Sequence, residues 1–196
     1  FFLQNRADLR SFFVLLPMLL SFFVPALTMR LFSEEAKSGS LETLMTLPVN
    51  EVHVVTGKYL ASFLSTLIMI SPSIFYVITT AIFGDPDVGP IIGGYIGTIF
   101  LCAGFTAVGV FASSVTKNQI IAFFTGFIIC IALTMIDTFL IFLPSNIVEF
   151  VSYISADMHF RSITQGIIDS RDLVYFITVF ALFFTATIKV QQNAKK

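Results

Sequence analysis

The sequence is poor in charge, contains no tryptophan and has only two cysteines. Asp, Glu, Lys and Arg make up 12% of its 196 residues, whereas a soluble domain carries about 25%, so an ordinary soluble globular protein is excluded. Cys102 and Cys130 show neither CxxC spacing nor a nearby histidine, which argues against a disulfide framework. The formal net charge is -1, and no basic field therefore indicates nucleic acid as a partner.

Motifs for catalysis and for phosphate binding are also missing. An intramembrane enzyme needs a nucleophile, a base or metal ligands within reach of one another, and the sequence has no such cluster. His53 and His159 fall on opposite sides of the topology predicted below, so we predict no metal site and interpret each as a solvated residue at the membrane interface. Gly57-Lys58-Tyr59 lacks the upstream glycine and the hydroxyl residue of a P-loop.

Long stretches without charge are what the sequence does contain. Apolar residues account for 56% of the chain, and a stretch of about 20 such residues crosses the hydrocarbon core as a helix. We therefore predict an all-α polytopic membrane protein. Pro17, Pro25 and Pro72 fall inside these stretches, where neighbouring helices can satisfy the freed carbonyls. The predicted spans are residues 11–29, 54–83, 91–113, 120–143 and 173–188, with an external or re-entrant segment at 144–172.

Lys and Arg predict the orientation, since cytoplasmic loops are enriched in them. We assign the side with more Lys and Arg to the cytoplasm. The basic C-terminus then lies in the cytoplasm, and the start of the chain lies outside. Because an external start without a signal peptide is hard to insert, we expect one further span upstream, which makes five spans present of six. The richer side carries Arg30, Lys37, Lys58, Lys117, Lys189, Lys195 and Lys196, and the poorer side carries Arg6, Arg10, Arg161 and Arg171.

Two features inside the predicted spans have more than one interpretation. Asp137 is the one formal charge deep in a span, and such acids are costly and often functional. It would line a path or contact another subunit, or, near the outer end of its span, it would cap the helix in contact with water. Gly93 and Gly97 have the small-xxx-small spacing that permits close helix approach, although such pairs also occur by chance in a glycine-rich span.

The predicted cytoplasmic segment 30–51 is polar and amphipathic, with the sequence RLFSEEAKSGSLETLMTLPVNE. Gly39 breaks any continuous helix, and Ser40 is a suitable N-cap for a short helix from Leu41 to Leu47. Glu42 favours the first turn of that helix, and Pro48 ends it. We further expect Asn50 to cap the helix that enters the second span.

Leu41, Leu44 and Met45 form one apolar stripe on this short helix. A helix of this kind can lie on the lipid surface, but surface-seeking helices usually carry Lys and Arg on the polar face. An apolar stripe with acidic flanks suits a groove in a protein better. Glu34 and Glu35 would contact basic residues of that partner, or would form a solvated face. The acids of the segment are Glu34, Glu35, Glu42 and Glu51.

Residues 24–61, VPALTMRLFSEEAKSGSLETLMTLPVNEVHVVTGKYLA, resemble a segment of ABC-2 type permeases, in particular those related to gliding-motility transporters. In that family a span ends in a Thr-Met-Arg turn, followed by Glu-Glu, a Gly-Ser/Thr-Leu-Glu helix, a Pro-Val turn and a Gly-Lys-Tyr entry to the next span. The rest of the chain matches in layout, since the last two of the family's six spans are joined by external re-entrant helices. The sequence departs by lacking the first span and its preceding amphipathic helix.

The resemblance implies an ABC-2 transmembrane domain of the type V exporter class and a permease subunit without enzymatic activity. Residues 34–47 would be the coupling helix region, seated in a cytoplasmic ABC ATPase that carries ATP and Mg, so this chain itself needs no cofactor. The implied coupling residues are Glu34, Glu35, Gly39, Ser40, Leu41, Glu42, Leu44, Met45 and Pro48.

The other implied partners are a second permease subunit, in a homodimer or heterodimer, the lipid bilayer and an accessory periplasmic subunit. The implied location is the bacterial inner (plasma) membrane, with the C-terminus cytoplasmic. The alternative function is a mechanical or structural one, in which ATP-driven motion acts on periplasmic proteins without transport.

Overall fold

The computed structural model describes residues 9–40, 50–84, 87–139, 153–166 and 169–194. All regular elements in these ranges are helices, and five candidate spans, some made of two consecutive helices, are long and apolar enough to cross a membrane. The prediction of an all-α polytopic membrane protein is confirmed. The helices are α1 Arg10–Thr28, α2 Ser33–Ser38, α3 Glu51–Ile70, α4 Ser73–Phe83, α5 Val88–Val115, α6 Gln119–Phe139, α7 Ala156–Thr164 and α8 Ser170–Ala194.

Prolines act differently in the first two spans. Helix α1 continues through Pro17 and Pro25, whereas the stretch predicted as one span at 54–83 is divided into α3 and α4 at Ser71–Pro72. Proline lacks an N–H and its ring opposes the carbonyl four residues earlier, so a break at Pro72 has a local cause. The start of α3 is as predicted, because the Asn50 Oδ1 atom accepts a hydrogen bond of 3.1 Å from the Val52 N–H.

Helix α5 lies at the centre of the bundle. In the most apolar stretch of α5, the buried share is 72%. In the most apolar stretches of the other four candidate spans, the buried share is between 11% and 44%. Glycines on α5 let its neighbours touch its backbone. The Phe13 ring on α1 occupies the space that a Cβ atom at Gly94 would need. The Thr28 hydroxyl occupies the corresponding space at Gly109.

Helix α7 packs on the opposite end of the bundle from α2. Phe160 and Ile163 of α7 are fully buried, and the Ile163 carbonyl lies directly against Gly93. A Cβ at Gly97 would be 3.2 Å from the Phe160 ring. The Gly93 and Gly97 pair therefore marks a close contact within the chain, with the short helix α7 as the neighbour.

Candidate functional site: the segment between the first two spans

The predicted coupling segment begins directly at the end of α1. Residues Met29 to Phe32 form a turn, and α2 runs from Ser33 to Ser38. Gly39 then ends α2 with φ +77°, a left-handed conformation that favours glycine. Of the predicted coupling residues, the structure describes Glu34, Glu35, Gly39 and Ser40. Leu41, Glu42, Leu44, Met45 and Pro48 lie outside the described residues.

The side chain of Ser113, near the end of α5, joins this segment to the centre of the bundle. Its hydroxyl oxygen accepts hydrogen bonds from the N–H groups of Phe32, at 3.0 Å, and Ser33, at 3.2 Å. The same hydroxyl donates to the Met29 carbonyl at 2.9 Å. The first N–H groups of a helix and its last carbonyls have no partner within the helix itself. One serine of α5 therefore satisfies groups at both the end of α1 and the start of α2.

Lys58, in the second turn of α3, makes the second connection. Its ammonium lies 2.6 Å from Glu35 Oε1, donates to the Leu31 carbonyl and stands 4.7 Å from the centre of the Phe32 ring. The Lys58 side chain is 16% exposed, so this ion pair is screened less than a surface pair. Lys58 thus contacts three consecutive parts of the segment.

Phe32 fixes the base of the segment by its apolar packing. It is fully buried and forms a small core with residues of α3 and α5. Burying an aromatic side chain of this size stabilises a contact by about 1.5–3 kcal/mol. The residues of this core are Phe32, Val55, Tyr59, Ala107 and Val110.

The two adjacent acids of α2 differ in their surroundings. Glu34 is exposed, whereas Glu35 is half-buried and bound to Lys58. Among the residues that the structure describes, the second, buried carboxylate oxygen of Glu35 has no hydrogen-bond partner. Contact with a basic partner and a solvated face stay the two predictions for Glu34, while Glu35 has a basic partner within the chain. Sequence reasoning did not predict the contacts of Lys58 and Ser113 with this segment. It used Lys58 for the topology, for the comparison with a P-loop and for the Gly-Lys-Tyr resemblance, and Ser113 as the end of a span.

A second polar group lies at the other end of the bundle, around α7. Asp157 is 4% exposed and its Oδ2 atom lies 2.6 Å from Arg161 Nε. Burial raises the pKa of the Asp157 carboxyl; Arg161 opposes this effect, and the neighbouring Asp137 carboxyl adds to it. The structure thus places Asp137, the acid singled out in α6, against α7.

His159 is held inside this end of the molecule, so its interpretation as a solvated residue was wrong. Its Nδ1 atom lies 2.7 Å from Asp172 Oδ1, and its ring stacks on Tyr175 with centroids 4.3 Å apart. The Tyr175 hydroxyl in turn donates to the Ile154 carbonyl at 2.7 Å. His53, by contrast, is exposed. Across the described ranges, no group of three or more His, Cys, Asp or Glu is placed to hold a metal ion.

Comparison with known proteins identifies the family. The sequence model of the family described as ABC-2 family transporter protein matches residues 4–189. No curated protein and no solved structure matches the chain significantly. The family match includes four candidate spans in full, most of the fifth, and the short helices α2 and α7. The gliding-motility relationship stays a prediction. The chain therefore belongs to the ABC-2 transporter family, as a multi-pass permease component of an ABC transporter and not its ATPase.

Proposed function

We propose that this chain is the permease subunit of a bacterial exporter and that the segment after α1 couples it to a separate ATPase. The ATPase would bind ATP and Mg on the cytoplasmic side, and its closure would push residues 34–47. A second permease subunit, identical or related, would complete the path across the membrane. The substrate would pass between the two subunits toward the outside.

The observation that carries this proposal is the attachment of α2 to two spans at once. Ser113 connects the segment to α5, with three hydrogen bonds between 2.9 and 3.2 Å, and Lys58 connects it to α3. A segment lying loosely on lipid would need neither connection. A segment that receives a push must be joined to the helices that it moves.

The charge of α2 favours a protein partner over an anionic membrane surface. Glu34 is exposed on α2, and an acid facing anionic headgroups is repelled, whereas a basic groove would attract it. The short helix predicted for residues 41–47 would add an apolar stripe to the same contact. Together these features suit docking into a cleft of a soluble subunit.

The distribution of basic residues supports a cytoplasmic position for this end of the bundle. The order of the helices brings the end of α1, the start of α3 and the end of α5 together, and the positive-inside rule assigns the end with more Lys and Arg to the cytoplasm. The described basic residues at the α2 end are Arg30, Lys37, Lys58, Lys117 and Lys189, against Arg10, Arg161 and Arg171 at the α7 end.

The test is site-specific photo-crosslinking in membranes of the native host. A photo-reactive amino acid would replace Glu34, and a control would carry it at Ile82, which is 70% exposed on α4. We expect position 34 to give an adduct that mass spectrometry identifies as a protein with a Walker ATP-binding motif, and position 82 to give none. Adducts of position 34 with lipid alone would overturn the proposal.

A further inference from the structure

We infer that Ser113 and Lys58 are positioning residues that transmit the movement of the coupling segment to α5 and α3. This inference rests on the proposed function, because it concerns how a push on α2 reaches the spans. It adds that binding of the ATPase and transmission of its motion depend on different residues. Exposed Glu34 belongs to the first task, and Ser113 and Lys58 belong to the second.

Ser113 suits this role because its hydroxyl is fully committed. A hydroxyl offers one donor and two acceptor sites, and Ser113 uses all three, on Met29, Phe32 and Ser33. The residue is fully buried, so water cannot replace these bonds while the segment stays in place. Movement of α2 therefore either carries the end of α5 with it or takes this partner away from the buried N–H groups of Phe32 and Ser33, which is unfavourable.

Lys58 provides a connection of a different kind, to the adjoining helix. Its ammonium bonds to Glu35 inside α2 and to the Leu31 carbonyl before α2, so it contacts the segment on both sides of Phe32. The Phe32 ring packs against Val55, one turn before Lys58 on the same helix. A displacement of α2 is therefore passed to the first turns of α3.

Neither residue lies in the exposed surface through which a partner would dock. The Lys58 side chain is 16% exposed and Ser113 is buried, whereas Glu34 on α2 is exposed. Loss of Ser113 or Lys58 should therefore leave the docking surface in place and loosen its attachment to the bundle. The result would be an ATPase that binds but no longer drives the spans.

The chain contains a matched control for each position. Ser114 is the next residue on α5, and within the described part of the chain its hydroxyl bonds to the Phe111 carbonyl of its own helix at 2.7 Å. Lys117 is an exposed lysine in the turn after α5. The variants to compare are therefore Ser113→Ala with Ser114→Ala, and Lys58→Met with Lys117→Met.

The experiment uses the complete complex with its ATPase in lipid nanodiscs. Spin labels would be placed at Lys37→Cys on α2 and at Val88→Cys at the far end of α5, with the buried Cys102 and Cys130 replaced by alanine. Both labelled positions are exposed. Co-purification of the ATPase and the change in label distance on adding ATP are measured for each variant.

We expect Ser113→Ala and Lys58→Met to retain co-purification and to lose at least half of the ATP-dependent distance change. The two controls should keep the full change. A further variant, Lys58→Arg, should keep the change, because a guanidinium can pair with Glu35 and donate to the Leu31 carbonyl as the ammonium does. Its behaviour ties the loss in Lys58→Met to the missing charge and donors, and retained co-purification shows that the variants are folded.

Two results would contradict the inference. If Ser113→Ala and Lys58→Met move as the wild type does, the two residues do not transmit motion. If Lys58→Arg loses the change as Lys58→Met does, the contacts of a basic side chain with Glu35 and Leu31 are not the connection. By contrast, a wild-type chain that does not co-purify with an ATPase would contradict the proposed function itself.

Discussion

Glu35 Oε1 and Lys58 Nζ lie 2.6 Å apart, which joins the segment after α1 to the start of α3. The pair closes a loop of residues 36–57 between two consecutive spans. Because Lys58 also bonds to the Leu31 carbonyl, the connection involves backbone as well as side chain. Helix α2 is thus attached to the membrane bundle.

Charge reversal at Glu34 should weaken docking of the ATPase and leave the chain folded. Glu34 is exposed, and a rim charge mainly affects association with a partner of opposite charge. We expect Glu34→Lys to lower co-purification of the ATPase and its stimulated hydrolysis by at least threefold. Gln192→Lys, which adds positive charge at an exposed position near the end of α8, is the control. Equal binding by Glu34→Lys and the wild type would argue against docking through α2.

Alanine at Gly109 should destabilise the bundle, because the Thr28 hydroxyl of α1 occupies the space that a Cβ would need. Overpacking of this kind costs about 1–3 kcal/mol. The same change at Gly57 on α3 meets nothing within 4 Å, and there alanine should stabilise by about 0.5–1 kcal/mol through its better helix propensity. Thermal unfolding in detergent compares the two variants, and equal melting temperatures would contradict this account of α5.

The stability of the α7 end should fall as pH rises. Burial raises the pKa of Asp157 in the folded state, so the folded protein binds this proton more tightly than the unfolded chain. The stabilisation is fully present below the unfolded pKa of 3.8 and is lost as pH rises through the higher folded pKa. Asp157→Asn should flatten the dependence of the melting temperature on pH in this window, whereas Asp87→Asn, at an exposed helix cap, should not. A wild-type protein that becomes more stable as pH rises there would refute the assignment.

Cysteine accessibility tests the orientation. A cysteine at exposed Asp87, before α5, should react with an impermeant reagent added outside intact cells, and a cysteine at exposed Lys117, after α5, should react only in inside-out vesicles. The two positions lie at opposite ends of the same helix, so each is the control for the other. The reverse pattern would invert the topology and would move α2 away from the cytoplasm.

The sequence allowed the spans and the cap at Asn50 to be predicted, because both depend on residues close together in the chain. Hydrophobic length shows where a helix can cross a membrane, and Asn50 bonds to the N–H only two residues away. The same local signals did not distinguish Pro25, inside α1, from Pro72, at the break before α4.

Long-range contacts were beyond such reasoning. Ser113 meets Phe32 across a sequence separation of 81 residues, and His159 meets Asp172 only because α7 folds back on the start of α8. A serine near the end of an apolar run has many equivalent interpretations until its neighbours in space are known. The sequence therefore proposed a candidate segment, whereas the residues that attach it to the bundle were seen only in the structure.

The glycine-lined surface of α5 limits how this helix can take part in any motion. Where the Phe13 ring rests on Gly94 and the Ile163 carbonyl rests on Gly93, rotation about the helix axis would swing bulkier side chains into spaces that admit only hydrogen atoms. Rotation in place is thus opposed sterically, and we expect α5 to move together with α1 and α7. Under the proposed function, a push received at one face of the membrane would then reach the other face as a displacement of these three helices.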